Sequence, residues 1–497
     1  MIIMKTVYLT LLLSTGIFLS SCSEDFLDLK PKTQLSVDDY YKTAEQFESA
    51  VNGAYSSLQE TNLYGNWYVL SEIPSDNTSN QLSGSVTDQD EFDKYYIRST
   101  NPFTANFWNS SYMAINRINT VLDRIDGIEI DKSVSDRYKL ECKFLRGLLY
   151  FNLVRVFGDV PLVLNEISIS DSYAVLRESK DKVYSQIISD LSAAEALPGS
   201  YAEDVNKGRA TSGAAKALLG KVYLTMKNYK DAETKLAEVI ASNKYSLLEN
   251  TAGSLNVNGY AAVFNASNHN NSESVFDVQF KKGGFGEGSN FPNSFAPENS
   301  GTNVVPLGTT GGNNLPGADI INAYETGDLR KDFSVASGYY DSRKNGAWVE
   351  SKYIKKYFDT PYKDGDANNN FPVIRYADVL LMYSEALNQN GKTAEACNYL
   401  NKVRRRGFGY QTTEASPVDI NTTSKDVFLL KVEQERRVEL AFEGQRWFDL
   451  IRTDRAVEVM TSKGYKLNAT NLICPIPQKQ IDVNPILTQN DYQIVPK

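Results

Sequence analysis

The sequence of 497 residues predicts a mainly α-helical protein, in which tetratricopeptide-like helix pairs form the scaffold and a large loop-rich insertion carries the binding face. Three observations favour this fold class. Apolar residues recur at helical spacing along most of the chain, two pairs of such segments match the tetratricopeptide spacing, and one long segment is rich in glycine, asparagine and serine. We therefore distinguish an N-terminal helical region over 40–242, the insertion over 243–372 and a C-terminal helical region over 373–497.

The first four helices are predicted from apolar periodicity. Segments 40–60 and 105–126 each place their apolar side chains on one stripe. A third helix over 133–156 should end at Gly158, because glycine readily adopts the backbone conformation that terminates a helix. A fourth helix covers 180–197.

Two helix pairs follow, one over 211–226 and 229–242 and the other over 375–390 and 393–406. In both, small residues allow close approach of the helices and large apolar residues fill the space between them. A single long helix is predicted over 424–451. Because the two pairs are not contiguous in sequence, a helical scaffold with large insertions is favoured over a plain solenoid.

Two loop-rich segments, 243–372 and 74–103, are candidates for the binding face, because long ordered loops on a helical frame usually carry function. Their aromatic residues lie in polar sequence. Trp67, Trp108 and Trp447, by contrast, occupy helical positions and are expected in the core.

Residues 1–21 have the layout of a signal peptide, with one lysine and then an apolar run too short to cross a bilayer. The run ends in the sequence LSSC, which resembles a bacterial lipobox whose cysteine is acylated. We predict that Cys22 carries the lipid anchor and that 22–39 form the lipid-anchored N-terminal segment. The acidic residues directly after Cys22 resemble an export signal of surface-exposed lipoproteins in Gram-negative bacteria.

Composition excludes several functions. The formal net charge of −9 and the pI of about 5.1 disfavour nucleic acid as a partner. The four cysteines lack metal-ligand spacing, and the chain contains one histidine, His269, in an Asn/Ser-rich stretch. Zinc sites, redox motifs and Ser-His-Asp catalysis are therefore disfavoured.

Three local motifs favour structural over chemical roles. The glycine-rich segment 283–288 lacks the lysine and following helix of a phosphate-binding loop. Segment 364–370 resembles the start of a calcium loop but lacks its glycine and final glutamate, so an irregular structural Ca²⁺ site is an alternative to a solvated turn. Glutamates spaced four apart among arginines favour ion-paired helix faces over a glycosidase acid–base pair. The residues of this expected network are Glu435, Glu439 and Glu443 with Arg404, Arg436, Arg446 and Arg452.

Six sequence blocks spread over the mature chain are distinctive. Segments 374–388 (IRYADVLLMYSEALN) and 434–452 (QERRVELAFEGQRWFDLIR) are the most specific. They are accompanied by 24–31 (EDFLDLKP), 144–162 (FLRGLLYFNLVRVFGDVPL), 208–224 (GRATSGAAKALLGKVYL) and 473–492 (ICPIPQKQIDVNPILTQNDY). Together they resemble the SusD/RagB-like family of outer-membrane nutrient-binding lipoproteins.

The resemblance implies a SusD-like fold and a cell-surface glycan-binding lipoprotein that is not an enzyme. Such a protein captures an oligosaccharide and delivers it to a SusC-like TonB-dependent outer-membrane transporter. It would be lipid-anchored in the outer membrane, facing the extracellular side, and would need no cofactor. A peptide-binding member of the same family and, less favoured, a glycoside hydrolase stay open as alternatives.

The expected ligand-binding residues come from both loop-rich segments. The resemblance places part of the binding face in the first, and the insertion adds exposed aromatic candidates. We expect Trp348 and the Tyr95/Tyr96 pair to stack on sugar rings, with Asp76 and Arg98 as hydrogen-bonding partners. The alternative for Trp348 is a packing role that pins its loop to the helical frame. The full expected set is Asp76, Asn77, Asn80, Tyr95, Tyr96, Arg98, Phe285, Phe291, Tyr339, Tyr340 and Trp348.

Overall fold

The computed structural model of the protein describes residues 40–80, 87–202 and 206–494. The predicted signal peptide, Cys22 and the segment up to residue 39 lie outside the described residues. Within them the protein is mainly helical, as predicted. Among the helices of this described part, none is both long enough and apolar enough to span a membrane.

The N-terminal region contains the four predicted helices, the first helix pair and several short elements. Polar side chains cap two of the long helices. Thr43 and Gln46 form a capping box at the first one, and Asp131 accepts hydrogen bonds from backbone N–H groups at the start of the helix over 132–157. The elements are α1 (Ala44–Ser57), α2 (Trp67–Ser71), β1 (Thr78–Ser79), α3 (Thr87–Asp93), α4 (Pro102–Arg124), α5 (Lys132–Phe157), β2 (Val160–Pro161), α6 (Ile169–Ser172), β3 (Arg177–Glu178), α7 (Lys180–Ala194), α8 (Ser212–Thr225) and α9 (Tyr229–Ala241).

The insertion is built from short helices and strands. Its strands form two-stranded antiparallel sheets, β4 with β8 and β6 with β7, while β5 pairs with β1 of the N-terminal region. The elements are α10 (Asn258–Val263), β4 (Ser274–Val278), α11 (Phe291–Phe295), β5 (Leu315–Pro316), α12 (Ala318–Ala323), α13 (Arg330–Ser334), β6 (Val335–Asp341), β7 (Ala347–Ile354) and β8 (Phe371–Arg375).

The C-terminal region contains the second helix pair and corrects one prediction. The expected single helix over 424–451 is two helices, because the chain turns between them with Phe442 at φ +69° and Gly444 at φ +70°. Residues rarely adopt this left-handed conformation inside a helix. The elements are α14 (Tyr376–Gln389), α15 (Thr393–Gly407), α16 (Lys425–Glu439), α17 (Arg446–Arg452), α18 (Ala456–Ser462) and α19 (Gln478–Val483).

The two helix pairs are adjacent in space although residues 242–375 separate them in the chain. Helix α8 packs on α9, α9 packs on α14, and α14 packs on α15 and α16. Gly220 allows the first contact, since a Cβ atom there would lie 2.7 Å from Cγ of Leu236. The helices therefore form one stack, and the insertion is looped out of it.

A buried ion network joins the insertion to this helical stack. Its centre is Glu439, which accepts hydrogen bonds from Arg330 at 2.7 Å, Arg375 at 2.6 Å and Arg406 at 2.5 Å. The network also includes Glu273, Lys356, Glu435 and Glu443. Burial alone would raise the pKa of Glu439, but the three arginines hold that pKa far below its ordinary value.

Candidate functional site

The structure brings the two loop-rich segments together. Strand β1 pairs with β5, so that Thr78 lies opposite Pro316. Next to this pair, the Gly317 N–H donates to the Asn77 carbonyl at 2.9 Å, and Gln89 contacts the Asn313 side chain at 3.4 Å. Both segments thus contribute to one side of the molecule.

Asp76 lies inside the protein rather than on this surface. Its side chain is about 1% exposed and accepts hydrogen bonds from Arg446 at 2.7 and 3.0 Å, with Arg437 at 2.9 Å. Burial opposes ionisation, but the bonds and charge of Arg446 lower the pKa of Asp76. The carboxylate fastens the first loop to helix α17, so we withdraw it from the ligand-binding set.

Asn77, Asn80 and Tyr95 are buried as well. Asn77 accepts a hydrogen bond from Arg437 at 2.9 Å. The Tyr95 hydroxyl donates to the Pro74 carbonyl, and its ring packs against Trp447. Loop-like polar sequence predicts exposure, but this part of the loop runs between the core and the C-terminal helices, so these three side chains are enclosed.

Tyr96 and Arg98 do reach the surface. The Tyr96 hydroxyl donates to Asp90 at 3.0 Å, and Arg98, with 54% of its side chain exposed, pairs with Glu91. The same segment lies against the C-terminal tail, where the Tyr492 hydroxyl accepts from the Ile97 N–H at 3.2 Å. Tyr96 and Arg98 are thus attached to helix α3, and Gln89 of the same helix contacts the insertion at Asn313.

The strongest aromatic feature is the β6–β7 hairpin. Tyr340 and Trp348 are directly opposite in register, with ring centroids 5.0 Å apart and planes at 67°. Tyr340 is 69% exposed and Trp348 is 49% exposed. The indole lies over Gly338, where a Cβ atom would come within 2.6 Å of its Cζ2. We call this pair of rings the hairpin platform; Tyr339, on the opposite side of the strand, is 9% exposed.

The hairpin platform stands on a rigid base. Arg330 begins the short helix that leads into β6, and Lys356 is the second residue after β7. Both side chains are buried: Arg330 bonds Glu435 and Glu439, while Lys356 lies 2.5 Å from Glu443. Because both ends of the hairpin enter the buried ion network, the exposed rings are held on a fixed support.

A second group of exposed rings lies on neighbouring loops of the insertion. Phe285 is 69% exposed in the glycine-rich segment, and Tyr362 is 62% exposed beside it. A Cβ atom on Gly284 would lie 3.2 Å from Cε1 of Tyr362. Phe358, 54% exposed, lies in the same loop as Tyr362. Sequence reasoning missed Tyr362 and Phe358, although their Pro- and Asp-rich surroundings are as polar as those of Phe285.

Phe291 belongs to the core instead. It is 1% exposed and packs among Phe280, Phe295, Tyr357 and Phe371. It opens the short helix α11, whose side chains are enclosed. Tertiary packing therefore encloses Phe291 in the aromatic core although the surrounding sequence is polar. The prediction that Phe291 contacts a ligand is not supported by this position.

Hydrogen bonds connect segment 364–370, which resembles a calcium loop, to neighbouring loops that include the glycine-rich segment 283–288. The Gly284 N–H donates to the Asp366 carboxylate at 2.6 Å, and Asp364 accepts from the Thr309 N–H and hydroxyl at 3.1 and 2.8 Å. Across residues 40–80, 87–202 and 206–494 no group of three acidic, His or Cys side chains could hold a metal ion. The carboxylates of Asp364 and Asp366 therefore bond neighbouring loops to each other.

The helical glutamates form ion pairs, as predicted. Glu435 bonds Arg330 and Arg404, and Glu439 bonds three arginines. Arg436 joins Asp378 to Asp449, and Arg452 bonds Glu385. Glu439, whose pKa the three arginines hold far below its ordinary value, stays ionised and cannot donate a proton to a glycosidic oxygen.

Comparison with known proteins agrees with this architecture. Residues 25–224 match the family described as "Starch-binding associating with outer membrane", and residues 322–492 match the "SusD family". A SusD-like protein of Formosa agariphila is 28% identical, with 97% of each chain covered, and one of Bacteroides ovatus is 26% identical, with 89% of this chain and 82% of the relative covered.

Solved structures show the same fold. A laminarin-binding SusD-like protein superposes with a TM-score of 0.77 at 27% identity, over 91% of this chain and all of the other. A SusD homologue from Bacteroides thetaiotaomicron superposes with a TM-score of 0.76 at 24% identity, over 93% and 99%. The fold and the paired helices define a class of mainly helical, loop-bearing proteins with the SusD-like fold. The chain belongs to the SusD/RagB-like family within it.

Proposed function

We propose that the protein is a cell-surface glycan-binding lipoprotein that captures an oligosaccharide and delivers it to a SusC-like TonB-dependent outer-membrane transporter. The observation that carries this proposal is the hairpin platform, two exposed rings on a buried ionic base. Exposed aromatic faces stack on the C–H faces of sugars, and a fixed support lowers the entropy lost on binding. The laminarin-binding relative supports a sugar as the ligand class.

The proposed site is centred on Tyr340 and Trp348, with Phe285, Tyr96 and Arg98 as further surface candidates. Tyr339 supports the strand from behind and contributes little surface of its own. We propose a binding role without catalysis, since the glutamates considered for an acid–base pair are held in the buried ion network. Such shallow ring stacking supports dissociation constants of roughly micromolar to millimolar.

Calorimetric titration of the purified protein with a panel of oligosaccharides and peptides tests this function. Laminarihexaose, cellohexaose, maltohexaose, xylohexaose and mannohexaose represent the sugars, and extended hexapeptides represent the alternative ligand class. We expect saturable binding of at least one sugar, without release of shorter products. Binding of peptides alone would favour the peptide-binding alternative, and cleavage of a bound sugar would overturn the non-enzymatic role.

Delivery requires a membrane channel, which we propose to be a SusC-like transporter held against this protein at the extracellular face of the outer membrane. A stable contact should bury more than roughly 1,000 Å². Cross-linking in native membranes followed by mass spectrometry should therefore identify a TonB-dependent channel. Recovery of the protein from such membranes without that channel would contradict the proposed partnership.

A further inference from the structure

A groove separate from the hairpin platform lies between helix α1, residues 206–211 and strand β4. It has a volume of about 560 Å³. It continues into a second hollow of about 240 Å³ through shared walls formed by Lys207, Arg209, Phe276 and Asp277. Ligand sites in proteins commonly have volumes of about 300 to 1,000 Å³, so the groove is large enough for a small ligand.

The groove walls are fixed by hydrogen bonds between their own polar side chains. Gln279 and Asn270 form a reciprocal amide pair at 2.9 and 3.0 Å, and Gln59 donates to the Gln279 carbonyl at 2.6 Å. On the other wall, Arg209 bonds Glu141 at 2.8 Å and Asn52 at 2.5 Å. The walls are therefore preorganised before any ligand arrives.

Among the residues that the structure describes, two polar atoms at the groove find no hydrogen-bond partner. One is Oδ1 of Asp277, a residue that is 8% exposed and lines both hollows. The other is Nε2 of the half-buried His269, which also lines the groove. Buried polar atoms without partners are rare, because leaving one unbonded costs free energy. These atoms point to a hydroxyl-bearing group supplied from outside the chain.

The lining chemistry indicates the class of ligand. Amide groups from Asn52, Gln59 and Asn368 keep capacity to bond sugar hydroxyl groups, and Tyr55 adds a ring face. Positive and negative side chains are mixed along the walls, and Arg209 is already paired with Glu141. This balance gives no excess positive charge that would select an anionic ligand.

We propose that this groove is a second carbohydrate subsite that takes a neutral sugar unit, entered from the side of Phe285. The inference rests on the proposed glycan-binding function. The edge of the groove is formed by Lys281 and Glu287. These two residues form a β-bridge at the base of the loop that carries Phe285. A sugar chain on the exposed Phe285 ring can therefore extend into the groove, independently of the hairpin platform.

The single histidine of the chain gives a direct test. In a protein labelled with isotopic histidine and purified without a histidine tag, the imidazole signals in the NMR spectrum report on His269 alone. We would titrate this protein with laminarihexaose, cellohexaose, maltohexaose, xylohexaose and mannohexaose, and measure total binding by calorimetry in parallel. A hexasaccharide that binds should shift the His269 signals saturably.

Three variants separate the two sites. Asp277→Asn, which keeps the side-chain shape, and Gln59→Ala should each weaken the affinity read at His269 by roughly tenfold. Trp348→Ala should leave that affinity within about twofold while reducing total binding. Calorimetric binding with an unmoved His269 signal would overturn the groove subsite alone, as would a shift abolished by Trp348→Ala. Absence of binding by all five sugars would overturn the proposed function together with the subsite.

Discussion

Arg375 and Glu439 are 64 positions apart in the chain and meet in the core, where Arg375 Nη1 donates a hydrogen bond of 2.6 Å to Glu439 Oε1. Neither side chain is more than 1% exposed. Arg375 ends strand β8, which leads out of the insertion, and Glu439 ends helix α16. This contact therefore holds the insertion, with the hairpin platform on it, to the helical stack.

Removing the carboxylate at the centre of the network should be costly. In Glu439→Gln, three buried arginines lose their shared charge partner, and such a loss typically costs about 3–5 kcal/mol. Urea denaturation followed by circular dichroism measures the change. Glu458→Gln is the control, because that side chain is 69% exposed and 3.7 Å from Arg455, and exposed substitutions change stability by about 0.5 kcal/mol or less. Equal stabilities of the two variants would contradict the structural role of Glu439.

Glu72 should make stability depend on pH. Its side chain is fully buried, with Oε1 accepting from the Gly444 N–H at 2.7 Å, and burial raises its pKa from 4.5 to about 8. The folded protein thus keeps a proton that the unfolded chain releases, so stability falls as pH rises between these values, by up to about 1.4 kcal/mol per pH unit. Glu72→Gln should remove this loss.

The comparison is made by urea denaturation of the wild-type protein and Glu72→Gln at pH 5, 6, 7 and 8. We expect the variant to gain stability relative to wild type steadily toward pH 8. Because all other titrating groups are shared, their effects cancel in the difference. A difference that stays constant over this range would show that the Glu72 carboxyl is not held protonated.

The hairpin platform should lose affinity when its indole is removed. Stacking on an exposed ring is worth about 0.5–1.5 kcal/mol beyond burial, so Trp348→Ala should weaken glycan binding by roughly 2- to 12-fold. The melting temperature should change little, because the ring contacts residues of its own hairpin. Tyr173→Ala is the matched control, since Tyr173 is also 49% exposed but follows helix α6 of the N-terminal region. Full affinity with melting lowered by several degrees would assign Trp348 to packing.

Cys22 should be required for membrane attachment. Cys22→Ala removes the thiol that acylation needs, so the protein should leave the outer-membrane fraction or remain with its signal peptide uncleaved. Fractionation with immunoblotting and protease treatment of whole cells measure attachment and surface exposure. Ser23→Ala is the control for a neighbouring change that keeps the thiol. Undiminished membrane association of Cys22→Ala would refute the lipobox.

The long helices were predictable because each needs only local information: an apolar stripe, a capping residue and a terminating glycine. Trp67, Trp108 and Trp447 are buried for the same reason, since their helical positions face the core. The break between α16 and α17 was not predictable in this way. There Gly444 adopts φ +70° against the Trp67 ring, a neighbour that is almost 380 positions away.

The sequence by itself determined the helical scaffold, the family and the ion-pairing of the glutamates on α16, because periodicity and i,i+4 spacing act within a few turns. Only the tertiary structure decided which loop side chains are exposed and which are enclosed. Asp76 and Tyr95 are enclosed by the C-terminal helices, whereas Tyr340 and Trp348 stand on a hairpin whose ends are held by Arg330 and Lys356. Exposure of a loop side chain depends on which distant segment packs over it, and local sequence does not encode that contact.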